Sequence, residues 1–148
     1  MEKRSAGFTT IELVVVITML GILAAIAVPR MTGLSDYRVL EFHDRVVVAL
    51  RHAQKSATSH RRQVCVAFTA TTVTLTIAQA NPGACIAPLS LPGSASNVLQ
   101  SGDTTNAVFN PVPAAFNFLA DGTTGADRNV VVSGQTPIVV IGATGHVH

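Results

Sequence analysis

The sequence predicts an α+β fold, a long N-terminal α-helix packed on a C-terminal antiparallel β-sheet. Three observations carry that expectation. An unbroken apolar run occupies the start of the chain, and apolar residues then recur at spacings of three and four. Beyond residue 63 the pattern changes to short runs rich in Val, Thr and Ile, separated by turn residues. At 148 residues the chain supports one domain with a core large enough to be stable. Its hydrophobic share is 48% against 12% charged, more apolar than an ordinary soluble domain. A net charge of +2 is too small to argue for a nucleic-acid partner by itself.

The first element is the apolar run from Ile11 to Val28. About 18 residues of helix cover about 27 Å, close to the core of a thin bilayer. Lys3 and Arg4 precede the run, so the positive-inside rule keeps the N-terminus cytoplasmic and sends the rest across the membrane. Three readings fit such a segment: a secretory signal peptide, with Ala25-Ile26-Ala27 as the cleavage site; a plain anchor; or a helix that also assembles. Glu12 separates them. A carboxylate inside a bilayer costs about 2.5 kcal/mol or more, and neither a signal peptide nor a plain anchor has a use for one.

The stretch Gly7-Phe8-Thr9-Thr10-Ile11-Glu12, followed by an apolar helix and Pro29, resembles the class III signal of type IV pilins and type II secretion pseudopilins. Thr10 stands where that family usually has Leu. The resemblance implies that a prepilin peptidase cuts between Gly7 and Phe8 and methylates the new N-terminal Phe8. Glu12 then becomes the fifth mature residue, attracting the N-terminal amine of a neighbouring subunit as the chain leaves the bilayer for a filament. A buried carboxylate is tolerable when so paired. The implied organisation is a leader at 1–7, a transmembrane and polymerisation helix at 8–29 and a periplasmic head at 30–148. The implied partners are other pilin or pseudopilin subunits, the prepilin peptidase, the assembly platform and the lipid of the bacterial inner membrane. No cofactor is implied.

Gly21 lowers helix propensity by about 1 kcal/mol relative to Ala. Pro29 disfavours helix at the residue before it, so a kink or local melting is expected near Val28. The helix then resumes. Val39, Phe42, Val46, Leu50, Ala53 and Ala57 form one apolar stripe, while Arg38, Glu41, Arg45, His52 and Lys55 fall largely off it. The expected element is a helix from about Thr9 to about Ser59, apolar all round in its first half and amphipathic over about 36–59.

In the β-rich head, 63–148, Gln63 to Phe68 and Thr72 to Ala78 read as a hairpin. Residues 81–113 carry excess Pro, Gly, Ser and Asn and read as a long irregular loop region. Strands return at Phe116 to Leu119, Asn129 to Val132 and Pro137 to Ile141, with a turn at Asp121-Gly122. Val48 to Ala57 leading into Val64-Cys65-Val66, and Phe116-Asn117-Phe118 with Asp121-Gly122 and two Val-rich strands, resemble the GspH/FimT family of minor pilins and pseudopilins.

FimT-like pilins implicated in DNA uptake end in Gly-Arg-x-Arg, whose guanidinium groups can grip phosphate. Here the frame reads Gly145-His146-Val147-His148. Histidine is mostly neutral near pH 7, so DNA is not an expected partner. His60-Arg61-Arg62, with Arg51 and Lys55, could touch phosphates, but such a group at a helix end ordinarily faces solvent and complements the helix dipole. His146 and His148 would share one face of a strand, a half-site for a metal without an apparent third ligand, so surface histidines are the default and no metal is expected. No nucleophile elbow, phosphate-binding loop or Cys-x-x-Cys occurs, and an enzyme is not expected. Cys65 and Cys85, both on the expected periplasmic side, are read as a disulfide closing a loop of about 20 residues; two buried free thiols are the other reading.

Overall fold

The computed structural model describes residues 9–27 and 34–148. Gly7 and Phe8, the kink expected near Val28 and Pro29, and the continuity of the helix across 28–33 lie outside the described residues. Helix α1 is Thr10–Ala27 and helix α2 is Leu34–His60. The chain forms two compact units, 1–34 and 35–148.

In the first unit α1 runs 18 residues, and positions 8, 28 and 29 of the expected 8–29 span lie outside the described residues. Thr9 caps it. The Glu12 backbone N–H donates to Thr9 Oγ1 at 3.3 Å, and the Leu13 N–H donates to the Thr9 carbonyl at 3.2 Å. These bonds satisfy amide groups that a helix start would otherwise leave without partners. The Thr18 hydroxyl donates to the Val15 carbonyl at 2.8 Å, so this polar group is satisfied within the helix.

In the second unit α2 carries Asp36 in its first turn, where a carboxylate complements the helix dipole. Its stripe is buried as expected: Val39, Phe42, Val46, Leu50, Ala53 and Ala57, joined by Ala49. The helix ends in a left-handed residue. Arg61 has φ +50°, its N–H donates to the Thr58 carbonyl, and the Arg62 N–H reaches back to the Ala57 carbonyl at 3.1 Å. That pair of bonds is the Schellman stop, with Arg in the place glycine usually fills.

Strands β1 (Val64–Phe68) and β2 (Thr72–Ala78) form the expected hairpin. The sheet order is β3-β2-β1-β5, where β3 is Cys85–Pro88 and β5 is Phe116–Phe118. Strand β4 (Val98–Gln100) also pairs with β2. Residues 81–113 are therefore not simply a loop region. β3 pairs with β2 at Thr76–Ala78 and β4 pairs with it at Thr72–Thr74. Cys65 and Cys85 are joined by a disulfide, which ties β1 to β3 across β2.

A second sheet pairs β6 (Arg128–Val130) with β7 (Ile138–Val140). Residues 108–109 connect the two sheets: the Phe109 N–H donates to the Ala70 carbonyl at 2.8 Å, and the Val108 carbonyl accepts from the Ser133 N–H at 2.8 Å. Between α2 and the sheets lies one hydrophobic core. Its aromatic part is a chain of ring contacts, Phe42–Phe109 at 5.3 Å, Phe68–Phe109 at 5.4 Å, Phe68–Phe116 at 5.9 Å and Phe116–Phe118 at 5.5 Å. It takes in five of the six phenylalanines in the chain, and Phe8 lies outside the described residues.

Candidate assembly site

A helix normally hides its apolar residues on one face against a core. α1 does not. Ile11, Leu13, Val14, Ile17, Met19, Leu20, Ile22 and Leu23 are each at least half exposed, and together they occupy every side of the helix. An apolar surface so continuous marks a site of contact with other molecules. Glu12 is the charged residue of this helix, and it sits in the first turn.

The position of Glu12 adds an explanation that the apolar run alone did not supply. Thr9-Thr10-Ile11-Glu12 has the spacing of a capping box, in which an acidic residue stands three places after the capping hydroxyl. The bond from the Glu12 N–H to Thr9 Oγ1 is one half of that arrangement. A carboxylate in the first turn also complements the positive end of the helix dipole. The observed bond uses the Glu12 backbone N–H, so the local contribution of the carboxylate is its interaction with the helix dipole, separate from any pairing with a neighbour. The Thr-x-x-Glu spacing could have revealed it from the sequence.

Length bears on the membrane reading. Among the described residues no helix is long and apolar enough to cross a membrane.

On the head, the basic cluster near the end of α2 separates into different tasks. Arg61 and Arg62 are exposed, and their backbone forms the helix stop. Arg51 belongs elsewhere. Its Nε and Nη2 both donate to the Val147 carbonyl, at 3.2 and 3.1 Å. Gln54, one turn on, donates from Nε2 to the Thr144 carbonyl at 2.8 Å. Arg51 is exposed, as the sequence pattern has it, and it also fastens the C-terminal segment to α2. His52 accompanies it, with Nε2 3.1 Å from the Ser90 carbonyl.

The fastened segment is an added strand. The Val139 N–H donates to the His148 carbonyl at 2.8 Å and the His148 N–H to the Val139 carbonyl at 3.0 Å, while the Ile141 N–H donates to the His146 carbonyl at 2.9 Å. Val147 is buried, and His146 and His148 alternate with it on the exposed side. Gly145, at φ +67°, makes the preceding turn. A Cβ there would collide with the Gly122 carbonyl oxygen and the Gln54 side chain, so only glycine fits. Asp121 shapes the neighbouring turn. Its carboxylate accepts from the Thr123 N–H at 2.9 Å and hydroxyl at 2.8 Å, and these bonds, the backbone one first, hold its pKa below the ordinary carboxylate value.

Over 55 residues the chain is 47% identical to the type IV narrow pilus major component PilA5 of Thermus thermophilus. The likeness is to a type IV pilin. It takes in 37% of this chain and 47% of that protein, so the chain spans about half the length of the curated relative it matches. No protein-family profile matches the chain, and no solved structure matches it. The identity supports a place in the pilin-like superfamily, and a helix followed by an antiparallel sheet suits the α+β fold of that group.

Proposed function

We propose that this protein is a minor subunit of a type IV pilus or a type II secretion pseudopilus, of the GspH/FimT kind, with a structural role and no catalytic one. It enters the bacterial inner membrane through α1, is cut between Gly7 and Phe8 by the prepilin peptidase and methylated at Phe8, and is taken by the assembly platform into a filament.

One observation carries the reading: α1 is apolar on all sides and exposed along its length, with a single carboxylate in its first turn. Exposure on that scale costs roughly 25 cal/mol for each Å² of apolar surface left in water. A surrounding of lipid before assembly, and of neighbouring α1 helices after it, removes that cost. PilA5 is itself described as a pilus component, and its identity with this chain supports an assembling role. The head, closed around its own core, is left free to contact other minor subunits.

Mass spectrometry of the membrane-extracted protein tests the processing step. The expected mature chain begins at N-methylated Phe8. A chain beginning at Val28 would instead mean export by a cleaved signal peptide, and the filament reading would fail.

A further inference from the structure

The C-terminal strand carries two histidines with no assigned task, and we propose that His146 and His148 together bind a divalent transition cation of the Zn²⁺, Ni²⁺ or Cu²⁺ class. Imidazole suits these three ions. The two rings stand side by side on the exposed face of the strand, with centres 5.6 Å apart and planes 31° apart. A metal bound about 2.1 Å from one nitrogen of each ring lies about 3.2 Å from each ring centre. Two such ligands at a tetrahedral angle place the ring centres about 5.2 Å apart. The observed centre spacing of 5.6 Å lies within about 0.4 Å of that value, so the two rings are close enough to share one ion.

Two further features make the pair a chelate and not two loose side chains. Its backbone is held on both edges: β7 takes the Val139–His148 and Ile141–His146 bonds, and Arg51 grips the Val147 carbonyl between the histidines. Val147, buried at 1% exposure, pins the strand from below. Among the described residues, no ring nitrogen of His146 or His148 has a hydrogen-bond partner, so neither must break a bond to receive a metal. His43 and His52, by contrast, have ring nitrogens within hydrogen-bond distance of Asp44 and of the Ser90 carbonyl. Among the described residues no group of three or more metal-binding side chains is present. Water therefore fills the remaining coordination positions, which stay open to a donor atom from another molecule.

The experiment titrates Ni²⁺ and Zn²⁺ into the untagged full chain in mild detergent, followed by calorimetry, with Cu²⁺ electron paramagnetic resonance to count nitrogen ligands. The expected result is one saturable site per chain with two imidazole nitrogens. Either His146→Ala or His148→Ala should weaken binding about a hundredfold, because the second imidazole acts at high effective concentration once the first is bound. His60→Ala, at the exposed end of α2, should leave it unchanged. Both strand histidines are exposed, so circular dichroism should report an intact fold in each variant. Binding by the double variant His146→Ala/His148→Ala at wild-type strength, or the absence of a saturable site in the wild type, would overturn the proposal.

Discussion

In α2, Val46 and Leu50 are 0% exposed; in α1, Ile17 is 56% exposed and Leu20 is 59%. The residue types are alike and both segments are helical. They differ in where the partner of each apolar side chain resides. α2 finds its partners within the chain, because charged residues alternate with its apolar stripe and leave one face for the sheets. α1 has no polar face to turn outward, and its apolar side chains are exposed on every side. Helix stability in proteins comes mainly from such packing and not from propensity. The contrast fits the proposed function, with α2 serving folding and α1 serving association.

The contrast breaks most easily at matched leucines. Leu50→Ala should destabilise the chain by about 2–5 kcal/mol, since it opens a cavity in a closed core. Leu20→Ala should change unfolding by no more than about 0.5 kcal/mol in the same experiment, as expected for an exposed position. Urea unfolding of the full chain in mild detergent measures both. A loss above that limit for Leu20→Ala would mean that α1 contributes to the chain's own core, and the division of labour would be wrong.

A smaller effect sharpens the internal side of the comparison. Replacing both Cys65 and Cys85 by Ser should cost roughly 3 kcal/mol, the chain entropy of a loop with a sequence separation of 20. Proteolysis should then begin between β2 and β3, where the released segment is exposed. Unchanged stability without the bridge would show that the pairing of β3 with β2 holds this region by itself.

Smaller again is the effect at Arg61, where α2 ends. Arg61→Gly should stabilise the head by about 1 kcal/mol, because glycine meets no penalty at φ +50°. Arg61→Ala should give no such gain, since alanine keeps the Cβ responsible for that penalty. Thermal unfolding of the two variants distinguishes conformation from charge at this position.

Patterns repeated over several turns or pairs were legible in the sequence. The stripe of α2 is legible residue by residue except for Ala49, which lies on the same face three places after Val46 and four before Ala53. The β1–β2 hairpin was placed within a residue of its observed bounds, and β5, β6 and β7 close to theirs. β3 and β4 were missed. They are four and three residues long, too short for an alternation to register, and they exist because β2 offers its edge to each. That is a long-range fact which no local pattern records. The same limit hid Arg51 and Gln54. Their partners are carbonyl groups more than 80 residues further along the chain, and a carbonyl has no letter of its own. At the candidate assembly site the apolar run and Glu12 were plain, but the capping contribution of Glu12 was passed over although Thr9 stands three residues before it.

That double placement of Glu12 sets the most direct measurement. If Glu12 only helps start α1, Gln largely replaces it, because the Thr9 cap binds the backbone N–H at position 12 and only a dipole contribution of about 0.3–1 kcal/mol is lost. If its charge pairs with the N-terminal amine of a neighbour, Gln fails as Ala does, leaving that amine without a counter-charge in a dry interface. Quantifying the protein in sheared filaments and in membrane fractions for wild type, Glu12→Gln and Glu12→Ala separates the two. The account predicts that both variants are present and processed in the membrane and that both are depleted from filaments. Glu12→Gln entering filaments at the wild-type level would contradict it and leave Glu12 as a helix cap alone.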